Sequence, residues 1–284
     1  MTYSEFIKTF GYIIAPLLKG ACEWFMNNAK HPIKLSMRSS EPFARVSKML
    51  IEIDDVKYAK MRDWSDVFIN RDISKRLNES NISLYCKKQG LKAEYTMCDI
   101  GYSDKIMQNM TKSDFAPREF LQMFSANGEN YFDRHIRKTY DENIDFYVDF
   151  TFDDNQFSVK FDEFFSHYIM HFLPKTYKKH NDASCAEFDF NGNPILIDNN
   201  DPFVKDLYYG IYMSLNDGRL TEKESLEFFC NSDLSAIQRA VLMAHNNYND
   251  SPWKHFEPDN LIIRGQDIAA QTFDKMLFYQ KRIV

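Results

Sequence analysis

Apolar residues along the chain change period several times, and each change predicts an element. Thr2–Ser4 provides capping residues for a helix running to about Lys30, whose most apolar stretch is Phe10 to Leu18 and which Pro16 bends or divides. His31-Pro32 ends it. Ser40 followed by Glu41-Pro42 opens a second helix, because proline is tolerated in a first turn, and Phe43, Val46, Met49 and Leu50 then follow at helical spacing. Residues 54–80 read as broken helix. Asn81 to Lys88 and Leu91 to Tyr102 read as two strands joined by Gln89-Gly90, and Ser113 to Asn143 as helix interrupted near Asn127-Gly128.

The alternation is clearest in Ile144 to Asp154, IDFYVDFTFDD. Successive strand side chains point to opposite faces, so Phe146, Val148, Phe150 and Phe152 share one face while Asp145, Tyr147, Asp149, Thr151 and Asp153 share the other. Asp153-Asp154-Asn155 turns this strand into a second, Gln156 to Phe161. Asp162 caps a helix that Pro174 ends, and Asn191-Gly192 between Glu187–Phe190 and Pro194–Asp198 is a strong two-residue hairpin signal. Helical patterns return at roughly 202–215, 222–230 and 233–248, then a short strand at Leu261 to Arg264 and a last helix. The expected class is α+β, with helical N- and C-terminal regions around antiparallel β-hairpins in the middle. The expected organisation is a mainly helical region 1–140 with one hairpin, then 141–284 with the acidic hairpins and C-terminal helices, or one continuous domain.

Composition narrows the classes. In 284 residues there are only 9 Gly and 9 Pro, against a hydrophobic fraction of 44%, which fits a packed core and not a linker-like chain. The five cysteines are odd in number and none has C-x-x-C spacing, so they read as reduced, buried thiols of a cytoplasmic protein. No stretch approaches the roughly 20 apolar residues that span a bilayer, so no membrane partner is expected. The net charge of −6 is unevenly spread. Residues 1–140 carry a net +5, residues 141–200 a net −8 and the remainder −3. A net acidic chain is poorly suited to neutralising phosphates, so direct nucleic-acid binding is not expected. The phosphate-cradling and nucleophile-elbow motifs G-x-x-x-x-G-K-[ST], G-x-G-x-x-G and G-x-S-x-G do not occur, and no cofactor is expected.

Four places carry candidate chemistry. Glu163, His167 and His171 are spaced four apart, which puts them on one helical stripe from which two histidines can share a metal ion, with His180 and Cys185 nearby. The same stripe also fits a solvated polar face, opposite Phe161, Phe165, Tyr168, Ile169 and Phe172. Arg239 and His245 in QRAVLMAHNNYND resemble the signature of HEPN-type ribonucleases. The resemblance implies that the pair would activate a ribose hydroxyl and steady the phosphate, with Ala240 standing where that family usually has a polar residue. Asn216 to Glu224 is similar to the second half of an EF-hand loop, but Met213 and Leu215 fall where calcium needs oxygen ligands. A turn followed by a capping box of Thr221 and Glu224 accounts for it. The fourth place is the aspartate row, with Asp145, Asp149 and Asp153 each about 13 Å apart at roughly 3.3 Å per residue.

The expected function follows from that row. An acidic face with Tyr147 as an aromatic anchor suits a non-enzymatic interaction module, of the kind by which a phage-type inhibitor blocks a basic surface of a host nucleic-acid-acting defence complex. Its partner would be another protein with a basic surface, and homo-oligomer contacts are a further expectation. The alternative is a HEPN-like ribonuclease or a metal-dependent hydrolase.

Overall fold

The computed structural model describes residues 3–37, 40–102, 105–125, 136–141, 144–148, 185–196, 202–230 and 279–281. The chain divides into two compact units, one of Met1–Gly20, Phe172–Lys179 and Asn200–Val284, the other of Ala21–His171 and His180–Asn199.

The second unit is built on a sheet whose strands are β1 (Ile33–Ser36), β2 (Ser65–Val67), β3 (Thr96–Tyr102), β4 (Glu119–Ser125), β5 (Ile136–Asp141) and β6 (Ile144–Val148). Their spatial order is β2-β1-β3-β4-β6-β5. Every neighbouring pair is parallel except β5 with β6 at one edge. Helices α2 (Glu41–Ile53), α3 (Arg71–Ser74), α4 (Ser80–Lys88) and α5 (Lys105–Met110) fall between the first four strands. The crossover from β1 to β2 runs one way along the sheet, and those from β2 to β3 and β3 to β4 run the other way. Right-handed crossovers in opposite directions place helices on opposite faces. Accordingly Ile82, Tyr85 and Cys86 of α4 and Met107 and Met110 of α5 share one core with Val67, Met97 and Phe120. On α2, Phe43 meets Phe25 of helix α1 (Tyr3–Asn28) edge to face at 5.1 Å. Four consecutive residues of β4, Glu119, Phe120, Leu121 and Gln122, are all at most 1% exposed, so the sheet is covered on both sides there.

This architecture overturns the α+β expectation. The centre of the fold is a parallel, doubly wound sheet, and hairpins do not organise it. Two misread segments explain the error. Residues 80–88 form a helix because Ile82, Tyr85 and Cys86 sit at helical spacing and are all buried, and Gly90 at φ 72° ends the turn beyond it. Glu119–Ser125 lies inside the segment expected to be helix, but its unbroken buried run is that of a strand packed on both faces. The remaining strands, β7 (Cys185–Phe188) and β8 (Pro194–Leu196), form a separate antiparallel pair around Gly192 at φ 71°. Asn81 Nδ2 of α4 donates to Phe188 O at 3.1 Å, and Lys88 Nζ donates to Asn191 O.

In the other unit, α1 packs backbone to backbone against α6 (Pro202–Asp217). A Cβ on Gly11 would lie 2.1 Å from Leu207 O, and one on Gly210 1.9 Å from Lys8 O, so both positions exclude any side chain. Tyr12 OH donates to Asp217 Oδ1 at 2.7 Å. Helix α7 (Glu222–Cys230) starts with the capping box. Glu224 N donates to Thr221 Oγ1 at 3.2 Å, and Thr221 N to Glu224 Oε2 at 2.9 Å. Helix α6 ends at Asp217 and is followed by Gly218 at φ 64°. No helix among the described residues is long and apolar enough to cross a membrane.

Candidate functional site

In an open parallel sheet the winding reverses at one place, and there the loops at the carboxyl ends of two neighbouring strands leave in opposite directions and open a crevice. Here the reversal lies between β1 and β3. Strand β1 ends at Ser36 and gives way to α2 at Glu41, while β3 continues beside it to Tyr102. Residues near the end of β1 therefore lie beside the middle of β3, at Cys98 and Asp99.

Three buried polar side chains meet this place. Ser40 precedes α2 as its N-cap residue, yet makes no side-chain cap to its own helix. Its hydroxyl instead donates to Cys98 O at 3.1 Å and lies 3.4 Å from Asp99 Oδ1. Ser40 N donates to Ser36 O, which folds the connection back over the strand end. Asp99 is 3% exposed, in the interior of a strand where an unionised or apolar residue would be cheaper to bury. Gln122 on β4 is the register partner of Asp99, so the two share a face of the sheet. Its Oε1 is buried and accepts no hydrogen bond from any described residue. Ser36, by contrast, is spoken for locally, donating to Ile69 O at 2.7 Å. At the start of α2, Glu41 pairs with Arg45 one turn on, and its carboxylate faces the positive end of the helix dipole.

The arrangement offers hydrogen-bond acceptors and one carboxylate. The neighbouring thiols are not nucleophiles. Burial pushes the Cys98 thiol well above its ordinary range, with the charges of Glu119, Cys22 and Asp99 adding to it, and burial does the same to Cys22. Cys86 is pushed up to about 12 by burial. All three are free and buried. Among the described residues no group of three or more His, Cys, Asp or Glu could hold a metal ion.

The opposite, amino end of the sheet carries a second buried carboxylate. Glu119 Oε2 accepts from Thr96 Oγ1 at 2.6 Å and from Lys30 N at 3.0 Å. This ties β4 to β3 and to the connection before β1.

Of the sites expected from sequence, Asp145 and Tyr147 lie on β6, between β4 and β5, where Asp145 is in register with Glu119 and Thr139. Asp149, Asp153, Glu163, His167, His171, Arg239 and His245 lie outside the described residues. Ser40, Asp99 and Gln122 were missed by the sequence reading. Their signal is an isolated polar residue inside an apolar strand, as in YTMCDIGY, together with a strand-to-helix passage at Ser40-Glu41-Pro42. No family model matches this chain, and no similar chain is found among curated proteins or solved structures.

Proposed function

We propose that this protein binds a small polar molecule in the crevice at the carboxyl ends of β1 and β3, with Ser40 and Asp99 as its contacts. The observation that carries the reading is the position of Asp99. A buried carboxylate, costly to bury, stands at the reversal of the winding, where parallel sheets place their ligands. Ser40 supports it, because its hydroxyl is turned from the helix it precedes towards that carboxylate. A screen of small polar metabolites by thermal shift on the full chain tests the reading. At least one compound should raise the melting temperature of the wild type, and Asp99→Asn should lose that response while keeping its fold by circular dichroism. Compounds that stabilise wild type and Asp99→Asn equally would place the site elsewhere.

The docking of a basic protein on Asp145, Tyr147, Asp149 and Asp153 is a separate proposal, carried by the acidic block of residues 141–200. Since β6 is flanked by β4 and β5, a partner could not add to it as a neighbouring strand, and its contacts would have to come through side chains. Reversing Asp145, Asp149 and Asp153 to Lys should abolish partner capture from host lysate. Undiminished capture at physiological salt would remove these residues from the account.

A further inference from the structure

We infer that Asn191 is a site of spontaneous deamidation, held in check by the docking of the β7–β8 turn on α4, so that release of the turn commits it to a one-way chemical change. The starting point is the Asn-Gly pair at residues 191–192. In an Asn-Gly sequence the following backbone nitrogen can reach the asparagine amide carbon, because glycine carries no Cβ to obstruct the approach. The Gly192 nitrogen, having given its proton to solvent, attacks Cγ of Asn191. The N–Cγ bond forms, the Cγ–Nδ2 bond breaks, and the amide nitrogen leaves as ammonia with a proton from solvent. Water then opens the cyclic imide at one of its two carbonyls and gives aspartate or isoaspartate, the latter with an added methylene in the main chain. No oxidant or reductant enters. Asn193 in the same loop is a built-in control, since Pro194 after it has no N–H to give up.

The docked turn withholds the nucleophile. Asn191 is exposed, but Gly192 is buried. The Gly192 N–H donates to Asp189 O at 2.9 Å, so the attacking nitrogen is engaged within the turn. Its φ of 71° and its place against α4 fix it there, since a Cβ at this position would lie 2.8 Å from both Asn81 O and Tyr85 N. The main chain of Asn191 is tied on both sides. Asn191 N donates to Asp189 Oδ1 at 2.9 Å, and Asn191 O accepts from Lys88 Nζ at 2.6 Å. The bond from Asn81 Nδ2 to Phe188 O and the Tyr85–Phe188 ring contact, with centroids 4.6 Å apart, anchor the preceding strand to the same helix. To close the imide, Gly192 N must leave its bond and the main chain about Asn191 must rotate. Both movements wait until the turn lifts from α4, so the rate of deamidation reads the fraction of time the turn spends undocked. Isoaspartate then lengthens a main chain whose bonds to Asp189 and Lys88 are matched to its present length, and the turn does not return.

The test follows deamidation at Asn191 in the full chain, in mildly alkaline buffer over days. Peptide mapping separates this site from Asn127-Gly128, the chain's other Asn-Gly pair. A synthetic peptide of residues 185–196 gives the unprotected rate. The wild type should convert at least about tenfold more slowly than the peptide, because a docked segment opens only rarely. Lys88→Ala and Asn81→Ala each remove a side-chain anchor of the turn, and each should speed conversion about fivefold, the weight of one hydrogen bond. Circular dichroism checks that each variant keeps its fold, and amide exchange at Gly192 should rise in step with conversion, while Asn193 stays unchanged throughout. Wild type converting at the peptide's rate would overturn the inference. So would folded variants that convert at the wild-type rate. If a variant unfolds, wild type in denaturant below its unfolding midpoint takes its place, and conversion that does not rise with denaturant overturns the inference equally. Isoaspartate-bearing chains, separated by their added negative charge, should exchange the Gly192 amide fast, and exchange as slow as in wild type would overturn the one-way release.

Discussion

The two ends of the parallel sheet both bury acidic or amide groups, and they treat them differently. At the amino end, one oxygen of Glu119 is answered from within the chain, Oε2 held by the Thr96 hydroxyl and by the Lys30 amide, donors from two separate segments, while Oε1 is buried and accepts no hydrogen bond from the described residues. At the carboxyl end, Asp99 is approached by a serine hydroxyl at 3.4 Å, and its register partner Gln122 keeps a buried oxygen that no described residue serves. A carboxylate tied by hydrogen bonds to separate segments acts as a staple, because each charge-assisted bond joins pieces of chain that must otherwise be ordered independently. Asp99 and Gln122 are gathered instead at the winding reversal, where parallel sheets place their ligands. The difference is one of place: Glu119 joins segments at the amino end, and Asp99 stands at the winding reversal.

That contrast breaks most visibly at Glu119. Glu119→Ala removes the acceptor of two hydrogen bonds and leaves the buried Thr96 hydroxyl without it. It should cost about 3 kcal/mol, from two bonds to a charged group at about 1.5 kcal/mol each. Denaturant titration reads this as a lower midpoint, and any ligand that stabilises the wild type should stabilise this variant by a similar increment. Asp99→Asn, at the other end, should remove that increment while keeping the fold.

A smaller effect sharpens the picture at the sheet edge. Burial holds the Asp66 carboxyl on β2 above its ordinary value, with the charge of Lys48 drawing it partly back. A carboxyl raised in the folded state binds protons more tightly there than in the unfolded chain, so stability falls as pH rises from the ordinary carboxylate value through the raised one. Asp66→Asn should therefore match wild type in strong acid, gain on it across that interval, and keep a constant advantage at neutral pH. Denaturation midpoints measured in acid and at neutrality check the sign, and an advantage that is largest in acid would contradict it.

Local signals in the sequence were read well where a single turn of chain decides the outcome. Glu41-Pro42 starts α2, and Thr221 with Glu224 builds the cap of α7 through bonds made within four residues. The parallel sheet was not legible, for a physical reason. An antiparallel strand with one wet face alternates, but a strand buried on both faces shows only a short apolar run. EFLQMFS can be read as a buried turn of helix as easily as a strand. Residues 80–88 failed in the opposite sense, since a gap from Ile82 to Tyr85 and Cys86 also fits a strand with a mixed face. With the strand order unread, the winding reversal could not be placed. Asp99 and Gln122, 23 residues apart in sequence, become neighbours only through the β3–β4 register.

The central claim is that the carboxyl end of β1 and β3 is where this protein holds a small molecule. Crystals of the full chain soaked with a diverse set of small polar fragments test it most directly. Bound fragments should gather against Ser40 and Asp99. Fragments that collect at another surface, with that crevice bare at every concentration tried, would contradict it.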